Sequence, residues 1–86
     1  MASYRVEWRS SARRELRRLA PAAIPRIVEA VAGLAEDPRP NGCRRLSGSD
    51  NTYRVRVGTY RVVYELLDDL LLVQIVRVRH RRDAYR

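Results

Sequence analysis

The stretch Tyr53-Arg54-Val55-Arg56-Val57-Gly58-Thr59-Tyr60-Arg61-Val62-Val63-Tyr64 decides the fold. Apolar and basic residues alternate with period two up to Gly58-Thr59 and alternate again beyond it, the pattern of a β-hairpin. Glycine supplies the positive φ that a tight reversal needs. With Gly58 and Thr59 as the loop, Val57 faces Tyr60, Arg56 faces Arg61, Val55 faces Val62 and Arg54 faces Val63. Side chains alternate across a sheet, so Arg54, Arg56 and Arg61 project from one face. Tyr53, Val55, Val57, Tyr60, Val62 and Tyr64 project from the other. Like charges placed opposite each other weaken a sheet, so three arginines on one face are a structural cost that calls for a function.

Working toward the C-terminus, Asp68-Asp69 reads as a second two-residue turn, and Leu70 to Arg79 as a third strand of the meander. That turn pairs Tyr64 with Val73, Val62 with Ile75 and Arg61 with Val76. The core face then carries Val55, Val57, Tyr60, Val62, Tyr64, Leu66, Leu71, Val73 and Ile75. The opposite face carries Arg54, Arg56, Arg61, Val63, Glu65, Gln74, Val76, Val78 and His80. The ending Arg79-His80-Arg81-Arg82-Asp83-Ala84-Tyr85-Arg86 emerges beside Arg61 and brings His80, Arg81 and Tyr85 within reach of the same surface.

Working toward the N-terminus, Tyr4 to Trp8 alternate and predict a first strand with Tyr4, Val6 and Trp8 on one side. Ser10 or Ser11 offers an N-cap for a short helix in which Ala12, Leu16, Leu19 and Ala20 recur at helical spacing. Its outer surface carries Arg13, Arg14, Arg17 and Arg18, as a solvated face or as a patch for RNA or an antitoxin. A second helix places Ile24, Ile27, Val28, Val31, Leu34 and Ala35 on one stripe, with Pro25 in its first turn, where a missing N–H costs nothing. A polar connector with Arg39, Arg44 and Arg45 and the apolar anchor Leu46 leads into the hairpin. The expected fold is α+β: a small antiparallel sheet, order β-α-α-β-β-β, with a helical hairpin packed on one face.

Composition bounds the function. The 86 residues make one domain, 1–86, with room for one modest core. No apolar run approaches the roughly 20 residues of a membrane span, and the start leads into an alternating segment rather than a signal peptide. One cysteine, Cys43, allows no internal disulfide and fits a reducing cytoplasm. Net charge is +8, carried by 18 arginines and no lysine, which predicts a polyanionic partner.

The open face and tail hold Arg54, Arg56, Arg61, Arg77, Arg79, His80, Arg81, Arg82 and Tyr85. No metal-ligand spacing, glycine-rich phosphate loop or Ser/His/Asp order accompanies them, so neither metal nor cofactor is expected. An arginine-lined surface with one phenol and one imidazole suits a phosphodiester whose charge grows in a pentavalent state. RNA supplies its own nucleophile in the 2′-hydroxyl. Arginine stays protonated, so Tyr85 or His80 has to move any proton. The competing structural roles are an aromatic packed on the sheet edge for Tyr85 and a solvated strand end for His80.

On Tyr53-Arg-Val-Arg-Val-Gly58, Tyr60-Arg-Val-Val-Tyr64, the ending Arg79 to Tyr85, Leu34-Ala-Glu-Asp-Pro38 and Leu46-Ser-Gly48, the chain resembles the RelE/ParE superfamily of bacterial type II toxins, the RelE branch in particular. The resemblance spans essentially the whole chain. It implies an mRNA interferase that cleaves codons in the ribosomal A site and is held inactive by an acidic antitoxin. It also implies catalytic roles for Arg61, Arg81 and Tyr85, and RNA binding by the basic pair Arg54 and Arg56; Arg79 and His80 join the RNA-binding set from their place on the open face and tail. Arg54 and Arg56 stand where the superfamily often has lysines; a lysine can serve as base, whereas an arginine here stabilises charge. The alternative is a ParE-like toxin that inhibits DNA gyrase without catalysis, and a third is an inactive module that binds RNA or antitoxin.

Overall fold

The structure, a computed structural model, describes residues 3–82. The elements run β1 (Arg5–Trp8), α1 (Ser10–Arg17), α2 (Ile24–Gly33), β2 (Arg44–Arg45), β3 (Thr52–Val57), β4 (Tyr60–Leu67) and β5 (Leu72–His80), with a 3-10 turn at Asp68–Leu70. They form a five-stranded sheet in the order β1-β5-β4-β3-β2, covered on one face by the two helices. This is the α+β architecture expected, with two refinements. β1 joins the meander parallel to β5, making the sheet mixed, and Arg44 and Arg45, expected in a loop, form a short edge strand on β3.

The β3–β4 hairpin has the register that alternation predicts, from Val57 opposite Tyr60 to Arg54 opposite Val63, and continues to Thr52 opposite Glu65. Gly58 has φ of 61°, a conformation that penalises any Cβ.

The β4–β5 pairing departs from expectation twice. The loop takes four residues rather than two: Asp68–Leu70 form the 3-10 turn, and Leu71 closes it in the left-handed region at φ 49°, its N–H donating to Asp68 O at 3.1 Å. Tyr64 therefore pairs with Ile75, not Val73, and Leu71, expected in the core, is 40% exposed. A slip of two residues keeps each side chain on its face. The second departure does not. Tyr64 pairs with Ile75 but Val63 pairs with Arg77, leaving Val76 as a one-residue bulge. Beyond it the phase of β5 inverts. Arg61 pairs with Arg79 rather than Val76, and Val62 pairs with Val78 rather than Ile75. Val78, expected outside, is buried in the core, and His80 crosses to the side of Tyr60, where the two rings meet edge-on at 5.2 Å.

The core lies between helices and sheet. Ala12 from α1, Ile27 and Val31 from α2, and Leu34 pack on Val62, Tyr64, Leu66, Val73, Ile75 and Val78. Val28, expected in the α2 stripe, is on its flank and 44% exposed. Pro25 sits in the first turn of α2 as its chemistry requires. No serine caps α1; Ser10 is its first residue. The preceding Arg9 is extended, donating its N–H to Ile75 O at 3.0 Å while its carbonyl accepts from Arg13. Strand thus runs into helix with the backbone groups at the junction already paired. Among the described residues no helix is long and apolar enough to cross a membrane.

Candidate nucleic-acid interface

The inverted phase of β5 builds the site. Opposite partners across β3, β4 and β5 fall into two rows on the face away from the helices: Arg56–Arg61–Arg79 and Arg54–Val63–Arg77. Five guanidinium groups thus share three adjacent strands, about 4.8 Å apart. An unbulged β5 would have turned Arg77 and Arg79 into the core. Arg61, central in its row, is 8% exposed.

Two concavities meet at Arg61. One, of about 400 Å3, is bounded by Arg54, Arg61, Arg77 and Arg79 and floored by Leu46, Val63 and Val76, with Thr52 at its margin. The other, of about 500 Å3, is bounded, among the described residues, by Arg56, Arg61, Arg81 and Arg82. The tail reaches the second because the Arg81 N–H donates to Thr59 O in the hairpin turn at 2.8 Å. His80 lies on the other side of the sheet, its Nδ1 accepting the Arg82 N–H at 3.2 Å. The structure thus brings Arg54, Arg56, Arg61, Arg79 and Arg81 to one surface and sets His80 apart from it; Tyr85 lies outside the described residues.

Glu15 was not singled out from sequence. On α1, it reaches the edge of β5 just past the end of β1, accepting the Val78 N–H at 3.0 Å on Oε1 and Arg79 Nε at 3.1 Å on Oε2. One carboxylate satisfies the open strand edge and fixes an arginine of the site through a charge-assisted bond. Its signal in the sequence was its isolation, a lone acid among Arg13, Arg14, Arg17 and Arg18. Arg77 was visible in the basic inventory, but its face was not.

A second polar cluster lies away from this surface. Arg39, expected in the connector, holds Asp68 at 2.8 Å, donates from Nε to the Tyr53 hydroxyl at 3.2 Å and covers the Tyr53 ring. The Tyr4 hydroxyl donates to the other oxygen of Asp68 at 2.6 Å. Hydrogen bonding by Arg39, then by Tyr4, holds the Asp68 carboxyl below the usual carboxylate range. This cluster ties the segment before β1, the α2–β2 connector and the β4–β5 turn to β3, and is structural. Among the described residues no three His, Cys, Asp or Glu side chains gather as a metal-binding set.

Comparison with known proteins agrees with this geometry. A family model described as the ParE toxin of the type II toxin–antitoxin system parDE matches residues 6–85. Toxin RelG of Mycobacterium tuberculosis is 39% identical, over 96% of this chain and 97% of its own. In the solved toxin–antitoxin complex RelBE2 from Mycobacterium tuberculosis, one chain superposes with a TM-score of 0.80 at 34% identity, over 91% of this chain and 98% of that one. A chain of the archaeal RelE–RelB complex from Pyrococcus horikoshii gives 0.82 at 28% identity, over 95% and 99%. Matched along nearly its whole length in sequence and in fold, the chain belongs to the ParE toxin family of type II toxin–antitoxin systems, within the RelE/ParE superfamily.

Proposed function

We propose that this toxin is a ribosome-dependent endoribonuclease that cuts mRNA in the A site and is restrained by an acidic antitoxin. The observation that supports this most is the pair of arginine rows across β3, β4 and β5, assembled despite the repulsion of Arg61 by Arg56 and Arg79 on either side. In the reaction the 2′-oxygen attacks the adjacent phosphorus and the bond to the 5′-oxygen breaks, leaving a 2′,3′-cyclic phosphate and a 5′-hydroxyl. Arg61 and Arg81 hold the scissile phosphate and stabilise the charge that accumulates on it. Arg54, Arg56 and Arg79 position the backbone, and Tyr85 moves a proton or stacks on a base. The ribosome presents the codon in the geometry the attack needs.

The antitoxin follows from the same charge and from the solved relatives, which are complexes of RelE with RelB proteins. An acidic segment laid over the arginine rows competes with RNA for the same guanidinium groups. A second reading has one observation in its favour, the ParE description of the matching family: a non-enzymatic inhibitor of DNA gyrase, carried by a similar fold.

Primer extension on a defined mRNA in a purified translation system tests the proposal. Codon-phased cuts are expected only when ribosomes are present, and Arg61→Ala should lower their rate on the order of 10²-fold. No cuts in either lane, from folded protein free of antitoxin, would overturn the nuclease and turn the assay to gyrase supercoiling.

A further inference from the structure

The two concavities that share Arg61 are chemically unlike, and a phosphate alone accounts for only one of them. Among the described residues, the basin of Arg56, Arg61, Arg81 and Arg82 is lined by arginines, whose guanidinium groups suit phosphate oxygens. Its neighbour has Leu46, Val63 and Val76 as a floor beneath four arginines. Apolar side chains at the centre of a cationic face gain nothing from a phosphate. They gain from a flat ring with apolar faces and polar edges, and single-stranded RNA presents such rings, which stack readily on guanidinium planes. The volume, about 400 Å3, falls in the roughly 300–1,000 Å3 range of pockets that enclose small ligands.

Each floor residue has a specific reason to be there. Val76 is the bulge residue, the extra position that lets it line the concavity together with Arg77. Bulges re-aim side chains beside functional sites. Leu46 is the one apolar side chain of the connector, and its N–H donates to Thr52 O at 2.8 Å, prolonging the β2–β3 ladder over the basin. Val63 stands between Arg54 and Arg77 in its row, where a third arginine would have filled the floor with charge.

We infer that Leu46, Val63 and Val76 form a subsite for one unpaired nucleobase, next to the phosphate held in the basin of Arg56, Arg61, Arg81 and Arg82. This rests on the RNA reading above and deepens it: Arg61, common to both basins, sits where base and phosphate of neighbouring positions meet. Leu46 and Val76 are then specificity-determining residues, because the shape of the floor selects among bases.

The test is equilibrium binding of a short single-stranded RNA, made uncleavable by 2′-deoxy substitution, and of the same strand with an abasic position moved along it. The proteins are the wild type, Leu46→Ala, Val76→Thr and Arg61→Ala, each checked for an unchanged fold by thermal melting. One abasic position should weaken wild-type binding on the order of 10-fold. Leu46→Ala and Val76→Thr should weaken the intact strand and leave that abasic strand unaffected, whereas Arg61→Ala weakens both. Equal wild-type affinity for intact and abasic strands, with Arg61→Ala still weakening both, would overturn the base subsite and leave the RNA reading standing. Floor variants that weaken both strands alike would likewise overturn it. No binding of either strand at low salt would overturn the subsite, while the ribosome-dependent cutting followed by primer extension stands or falls separately.

Discussion

Removing the Glu15 carboxylate should separate two jobs that one side chain performs. Val78 is 1% exposed, and its N–H has Glu15 as acceptor at 3.0 Å because β1 ends opposite Ile75. Glu15→Ala orphans that N–H, which costs about 1–3 kcal/mol. The Arg79 ion pair, with side chains 32% and 25% exposed, adds about 0–1 kcal/mol. Glu15→Ala should therefore destabilise by about 1–4 kcal/mol, lowering Tm by about 4–8 °C per kcal/mol for a domain of this size. Glu15→Gln keeps a carbonyl oxygen for Val78 and loses only the charge, so it should cost about 1 kcal/mol or less. Urea unfolding followed by the fluorescence of Trp8, the chain's one tryptophan, on the strand beside β5, measures both. A Gln variant as unstable as the Ala variant would refute the role assigned to the Val78 N–H. A loss below about 0.5 kcal/mol for Ala would mean that solvent replaces the carboxylate at that edge.

Three further outcomes are expected. Tyr64 is fully buried and donates to Pro38 O at 2.8 Å, so Tyr64→Phe should cost about 1 kcal/mol in thermal melts. Burial, with the Cys43 thiol beside it, pushes the Tyr64 phenol well above its ordinary 10.0. A raised folded pKa gives stability that is complete below about pH 10 and lost above it, and the Phe variant should show less of that alkaline loss. Asp68 carries the opposite sign: its lowered pKa gives stability that is present above about pH 4 and lost as pH falls through the folded value. Asp68→Asn should flatten that part of the acid limb of a urea-midpoint profile. Leu71, left-handed at φ 49° and 40% exposed, should favour glycine by roughly 0.5–1 kcal/mol, whereas Leu71→Val should destabilise. Shifts in the same direction for both would refute the strain.

What was legible in the sequence was whatever local pattern decides. Alternation about Gly58 set the hairpin register, and Ile27, Val31 and Leu34 marked the buried stripe of α2. The phase of β5 was not legible, because Asp68-Asp69 resembles a complete turn and a leucine in the left-handed region announces nothing. The bulge left one trace, the apolar doublet Ile75-Val76 followed by Arg77-Val78-Arg79. Strict Val/Arg alternation after a doublet places both arginines outward only if the strand slips by one. The site was consequently read as three arginines plus a tail, when five rise from the sheet itself. Glu15 acts across a distance in sequence that no local pattern spans, as does the parallel union of β1 with β5.

That union has a consequence for how the toxin is made. β1 is synthesised early, yet its partner on the sheet is β5, which leaves the ribosome after every other element described here. At the usual pace of about 5–20 residues per second, the first strand waits several seconds for the last. Until β5 arrives there is no Arg77, no Arg79, no acceptor role for Glu15 and no shelf for Ala12 to pack on. Closing contacts so distant in sequence is slow and comes late. A nascent chain short of β5 therefore carries the arginines of β3 and β4 without the neighbouring strand that completes their surface.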